Sequence, residues 1–116
     1  MAKKSFILVR TSFEGIHKWN DAPIEVDFLK CPHRHIFHVE AKLPVTHDDR
    51  QLEFFMVKRI LNDIIDKLYP QVEIGQKSCE MIASEIGEEI MKVYGFRKDF
   101  SVSVSEDNEN AGIVEW

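Results

Sequence analysis

The sequence is poor in most of the features that place a chain quickly. It has two cysteines, Cys31 and Cys79, in 116 residues, which is no disulfide framework, and a chain of this length buries enough apolar surface to do without a staple. Both are expected as reduced thiols, and the cytoplasm is the expected compartment. No apolar run approaches the roughly 20 residues that span a bilayer, so no membrane segment is expected. The start "MAKK" leads straight into "SFILVRT", without the long apolar stretch and small-residue cleavage site of a secretory signal. Positive charge is also scarce. Fifteen Lys and Arg against twenty Asp and Glu leave a net charge of −5, and no basic block is present to track a phosphate backbone, which disfavours nucleic acid as a partner. Repeats and low-complexity segments are absent, and the length suits one domain, residues 1–116.

What is present is patterned. Residues 4–12, "KSFILVRTS", are rich in β-branched and aromatic types and read as a strand. The following "FEGIHKWNDAPIEVDFLKCP" has Gly15, Asn20, Asp21, Pro23 and Pro32 but no sustained period, and reads as a long excursion. From His35, "HIFHVEAKLPV" alternates, with Phe37, Val39, Ala41 and Leu43 on one face. In "EFFMVKRILNDIIDKLY" the apolar residues Val57, Ile60, Leu61, Ile64, Ile65 and Leu68 recur at helical spacing until Pro70. A second helix is predicted over "SCEMIASEIGEEIMKVYG", from an N-cap at Ser78 to Gly95. Phe100, Val102 and Val104 alternate with serines in a further strand, and "GIVEW" closes the chain as another. The order ββααββ predicts an α+β domain, an antiparallel four-stranded sheet with both helices on one face.

Within this frame "KCPHRH", residues 30–35, gathers one thiol and two imidazoles. Side chains repeat every two residues along a strand, so His33 and His35 extend the row of Phe37 and Val39, and both point toward the predicted interior. Such a pair can offer two neutral nitrogens to one zinc ion, which needs at least one further protein ligand; His17, which follows the first strand and which the excursion could return to the mouth of the second, is the candidate. Buried histidines satisfied by backbone groups explain the same spacing, and spacing alone leaves both open. Glu106 continues the Phe100, Val102, Val104 row, where a carboxylate ending an apolar face is placed at a pocket edge or in solvent.

"FEGIHKW", "HRHIFHVEAKL", "LEFFMVK", "SCEMIASEI" and "VSVSEDNENAGIVEW", in this order and over nearly the whole chain, resemble the landmarks of the 6-pyruvoyl-tetrahydropterin synthase and 6-carboxytetrahydropterin synthase family. The resemblance implies the tetrahydrobiopterin-biosynthesis fold (T-fold), with Zn2+ held by His17, His33 and His35. It implies a pterin-like small-molecule ligand gripped at its amino-pyrimidine edge by Glu106, and a homo-oligomer, a trimer or hexamer. It further implies lyase chemistry on dihydroneopterin triphosphate or a related pterin, in pterin or 7-deazaguanine (queuosine) metabolism. Glu53-Phe54 and Ser78-Cys79-Glu80 resemble the family's openings of the first and second helices.

The chain also departs from that pattern. The family places a proton-transferring cysteine upstream of its His-x-His pair; Cys31 stands closer, with only Pro32 before His33. By resemblance it is the catalytic proton carrier, and a fourth zinc ligand or a small packed side chain are alternatives. An Asp-His pair assists in the family at the end of the first helix, where this chain has Tyr69-Pro70, and no histidine follows position 47. Proline has no acid or base and a phenol ionises near pH 10, so neither replaces the pair near neutrality. The alternative function is a diverged member that binds a pterin- or purine-like ligand, or a protein, without the parent reaction. Arg34 replaces the family's glycine and can fork onto phosphate or carboxylate. Glu25 and Asp27 are expected in solvent, Cys79 in the core, His38 facing away from the metal row and His47 in a turn.

Overall fold

A computed structural model of the chain describes residues 2–116. The element order is β1 (Ser5–His17), a 3-10 helix (Ile24–Lys30), β2 (His33–Val45), α1 (Phe54–Leu68), β3 (Glu73–Gly75), α2 (Cys79–Tyr94), β4 (Ser101–Glu106) and β5 (Asn110–Glu115). The sheet has five strands in the order β3-β1-β2-β4-β5, which corrects the expected four. β3 is three residues long and pairs in parallel only with Ile16 and His17 of β1; a ladder that short has no periodicity to read.

The first strand also runs further than its composition suggests. β1 and β2 pair antiparallel over their whole lengths, from Ser5↔Val45 to His17↔His33, so residues 13–17 belong to the sheet and the excursion begins only after them. Gly15 made this stretch look like a loop. Its glycine has a packing reason instead: a Cβ there would lie 2.8 Å from Phe37 Cε2 and 3.3 Å from Ile74 Cδ1, so the bare backbone lets the strand lie against the Phe37 ring.

Both helices begin and end where the sequence indicates. Glu53 caps α1 by accepting from the Phe55 and Met56 backbone N–H groups at 2.9 and 3.1 Å, and Ser78 caps α2 by accepting from Met81 N–H at 3.1 Å. Gly95 ends α2 in a left-handed conformation, φ 77°, which glycine adopts without a steric penalty. The helices cover one face of the sheet. Val9, Phe37, Val39, Ala41, Leu43, Val102 and Val104 point into it and meet Val57, Leu61, Ile64 and Ile65 of α1 and Ile82, Ala83, Ile86 and Ile90 of α2. A Lys67 Nζ to Glu89 Oε1 hydrogen bond of 2.9 Å links the two helices.

The other sheet face mixes apolar side chains such as Leu8 and Ile113 with charged ones and carries Arg10–Glu40 and Arg34–Glu14 ion pairs, each at 2.6 Å. No helix among the described residues is long and apolar enough to cross a membrane. The core stops short of one end of the sheet, where β1 ends, β2 begins and β4 ends together.

Candidate metal centre

Register brings the three histidines to that end. His17 is the direct cross-strand neighbour of His33, and Gly15 that of His35; with a side-chain period of two, His17, His33 and His35 emerge on the helix-covered face. Their ring centroids are 4.5 Å (His17–His33), 5.2 Å (His17–His35) and 5.0 Å (His33–His35) apart. One nitrogen from each lies within 4.8 Å of the other two. The same-face pair and the upstream histidine of the sequence analysis are thus brought together.

Each ring is held by its Nδ1. His17 Nδ1 lies 2.7 Å from the Lys77 carbonyl oxygen, His33 Nδ1 2.8 Å from the Cys31 carbonyl oxygen and His35 Nδ1 2.7 Å from Asp107 Oδ2. Carbonyl and carboxylate oxygens only accept, so chemistry assigns the ring proton to Nδ1 and leaves a lone pair on each Nε2. Burial pushes the His17 pKa below its ordinary value, against the Lys77 hydrogen bond and the Glu106 charge, which favours the neutral ring. His17 Nε2 and His35 Nε2 are buried with no hydrogen-bond partner. Two buried acceptors without a protein partner, facing a third imidazole, suit a bound cation, to which each could give its lone pair. The donor set fits a metal: neutral imidazoles present Nε2, and the opposite nitrogen is tied to a carboxylate or carbonyl, the usual outer support of metal-binding histidine.

Glu106 closes the arrangement. Its Oε1 is 3.4 Å from His17 Nε2 and its Oε2 3.3 Å from His35 Nε2, again acceptor against acceptor. Asp107, the next residue, sits in the β4–β5 turn with φ 54° and also accepts from the Ile36 backbone N–H at 2.8 Å. Its bonds to His35 and to Ile36 hold its carboxyl below the usual carboxylate range. A cleft of about 430 Å³ opens above these groups, lined by His17, His33 and Glu106, the first turn of α2, and Trp19 and Leu29 from the excursion. Trp19 and Met81 remain 46% and 53% exposed at the cleft, a large apolar surface facing open space.

The two thiols lie in different settings, and it is Cys79 that lines the cleft. Cys31 is exposed, ends the 3-10 helix and meets the histidines through its carbonyl. Cys79 is in the core as expected, yet it also lines the cleft, its Sγ 3.9 Å from Glu106 Oε1. Burial, then the charges of Glu106 and Glu80, push the Cys79 thiol up to about 12, so it stays protonated at neutral pH. Arg34 points to the opposite sheet face, where its Nε and Nη2 both bind Glu14 Oε2 at 2.6 Å; its guanidinium is matched to a carboxylate of its own chain. Glu25 and Asp27 are exposed. His47 accepts from the Asp49 backbone N–H in a turn, at 3.2 Å.

Tyr69 lies outside the cleft. Its hydroxyl donates to Glu85 Oε1 at 2.8 Å, and burial, reinforced by Glu85, raises its pKa above the ordinary phenol value. Sequence reasoning missed Asp107, the Lys77 carbonyl and Trp19. Asp107 adjoins Glu106 and was open to inference; a backbone carbonyl 60 residues from its histidine has no sequence signature.

No protein-family model and no curated protein sequence matches the chain. Solved structures do. The fold is similar to that of 6-pyruvoyl tetrahydropterin synthase from Caenorhabditis elegans, at a TM-score of 0.64 and 14% identity, over 98% of this chain and 96% of that one. It is also similar to an uncharacterized protein from Wolinella succinogenes, at a TM-score of 0.69 and 13% identity, over 98% of this chain and 99% of that one. The chain therefore has the 6-pyruvoyl tetrahydropterin synthase fold.

Proposed function

We propose that the chain is a zinc-dependent protein of the 6-pyruvoyl- or 6-carboxytetrahydropterin synthase type. In this reading it is a lyase acting on dihydroneopterin triphosphate or a related pterin, in pterin or 7-deazaguanine (queuosine) metabolism. The observation that carries it is the convergence of three Nε2 lone pairs, two of them buried and unpartnered, on the floor of a cleft edged by Glu106. His17, His33 and His35 would hold the zinc, which when bound supplies Lewis-acid polarisation of oxygens on the substrate side chain.

The chain's own groups do the rest. The Lys77 and Cys31 carbonyls and the Asp107 carboxylate keep the three Nδ1 protons outward. Glu106 accepts from the amino and ring N–H groups of a pterin edge, a bidentate match to a carboxylate. Trp19 and Met81 offer apolar cover to a flat ring. Cys31, two residues before His33, is the proposed proton carrier.

The same reading includes a homo-oligomer, a trimer or hexamer. The outer edges of β5 and of most of β1 have no strand beside them among the described residues, and such edges are usually covered. A monomer by light scattering at micromolar concentration would count against it. Two free thiols suit a reducing, cytoplasmic setting.

A specific observation favours a second reading, in which the cleft keeps the zinc and binds a pterin- or purine-like ligand, or a protein partner, without the parent reaction. Tyr69 stands where the resemblance places an Asp-His pair, and its hydroxyl is engaged by Glu85 and held protonated. The deciding experiment measures zinc per chain in protein purified without chelator, then turnover of dihydroneopterin triphosphate by wild type and Cys31→Ala at matched zinc. About one zinc per chain, with turnover that falls about 10²- to 10⁴-fold in Cys31→Ala, supports the lyase. Zinc with pterin binding but no turnover supports the second reading. A metal-free protein overturns both.

A further inference from the structure

His17 is the one metal ligand contributed by β1, and its Nδ1 is held by the carbonyl of Lys77 at 2.7 Å. Lys77 lies in the short connection between β3 and α2. A loop carbonyl orients a ring only as firmly as the loop itself is fixed, so what anchors Lys77 matters to the metal.

The anchor is a chain of contacts that reaches both helices and returns to the same ring. Lys77 Nζ donates to Glu85 Oε2 at 2.8 Å, and Glu85 lies in α2. The second oxygen of that carboxylate accepts from Tyr69 O–H at 2.8 Å, and Tyr69 is the C-cap of α1. The Tyr69 ring stacks on Phe13 with centroids 5.4 Å apart and planes 4° apart, and Phe13 stacks on Phe37 at 5.4 Å. Phe37 then meets His17 edge-on at 5.1 Å and His35 at 5.8 Å. One end of the circuit fixes the Nδ1 proton of His17, and the other fixes the plane of its ring.

Resting on the metal reading above, we propose that Glu85 and Tyr69 are positioning residues for the metal site, acting on His17 through the Lys77 carbonyl and the Phe13–Phe37 stack. Both oxygens of Glu85 are used, one by a cation and one by a hydroxyl, which fixes the carboxylate in a single orientation. The place where the resemblance sets a proton-transfer pair has become a strut. This assigns work to two groups that the cleft chemistry leaves unused, and explains why a protonated phenol is tolerated there: it is needed as a donor.

Partners outside the ligand shell typically change metal affinity by about 10- to 100-fold, and Glu85, one step further out, belongs at the low end. The test is titration with Co2+, whose visible absorption reports coordination where Zn2+ is silent, on the full chain and on Glu85→Ala, Tyr69→Phe and Glu89→Gln. Far-UV circular dichroism and thermal melting accompany each titration. The inference expects about tenfold weaker Co2+ binding and an altered visible spectrum in Glu85→Ala. It expects a smaller loss in Tyr69→Phe, which keeps the ring stack and loses only the hydroxyl. Glu89→Gln is the control, because it breaks a comparable pair with Lys67 on the same helix and has no path to a histidine; wild-type affinity is expected. Unchanged affinity and spectrum in folded Glu85→Ala and Tyr69→Phe would overturn the inference, and so would an equal loss in Glu89→Gln. Failure of the wild type to bind Co2+ would instead overturn the metal reading on which the inference rests.

Discussion

One row of side chains on β2 contains two regions built on opposite rules. From Phe37 through Val39, Ala41 and Leu43 the row is apolar and at most 1% exposed, packed beneath α1 and α2. The two positions before Phe37 in this row are His35 and His33, on the same pleat and facing the same way, yet here the row ends in imidazoles, that of His35 with a buried unpartnered nitrogen. Backbone geometry is continuous across the junction and the strand pairs with β1 on both sides of it. The difference lies in what covers the row: helix side chains over one half, and over the other only the first turn of α2, the excursion and open space. A buried row can serve as a core only where apolar partners close over it; where they stop, the same inward direction creates a walled site. Phe37 is the hinge between the two, at once part of the core and in edge contact with His17 and His35.

Substitutions along that row should separate stability from ligand binding. Leu43→Ala, at the fully buried far end of β2, is expected to cost about 2–5 kcal/mol of unfolding free energy in a urea titration while the folded protein keeps the affinity for zinc proposed for the other half. Loss of zinc from folded Leu43→Ala would show that the two halves are not separable. His35→Ala should do the converse. It removes a proposed ligand and one buried unpartnered nitrogen, so zinc affinity should fall by more than about 100-fold, beyond the range for outer-shell partners. Stability of the metal-free protein should change little, since removing a buried polar atom without a partner offsets the lost hydrogen bond to Asp107. A large destabilisation of metal-free His35→Ala would mean that this end, too, is core. Glu106→Gln gives the smallest effect. Exchanging an acceptor-only carboxylate for an amide should weaken a bound pterin such as neopterin by about 1.5–3 kcal/mol, the range for hydrogen bonds to a charged group, at unchanged zinc content. Equal affinity in isothermal titration would remove Glu106 from the ligand site.

Much of this division was legible beforehand, because periodicity reports side-chain direction without any knowledge of what lies across the space. The alternation of Phe37, Val39, Ala41 and Leu43, the helical spacing of Val57 to Leu68, the Ser78 cap and Gly95 stop are local, and each reappears in the fold. The inward direction of His33 and His35 follows from the same alternation, and Glu106 from the row that ends β4. Misreadings arose where a local signal had a long-range cause. Gly15 looked like a loop residue and is a packing residue, because the ring that requires it lies 22 positions away. β3 has three residues and exists only because β1 presents an edge to it.

The sequence by itself therefore determined the two helices, the main strands and the inward face that carries the imidazoles, since φ/ψ preference and side-chain period act within a few residues. Only the tertiary structure decided that His17 ends a strand opposite His33, that Nδ1 of each histidine is the protonated nitrogen, and that Cys79 shares the cleft with Glu106. It also decided that Arg34 and Tyr69 are matched to Glu14 and Glu85. Each of these is a choice of partner across tens of residues, set by strand register and helix docking, and neither leaves a local imprint in the chain.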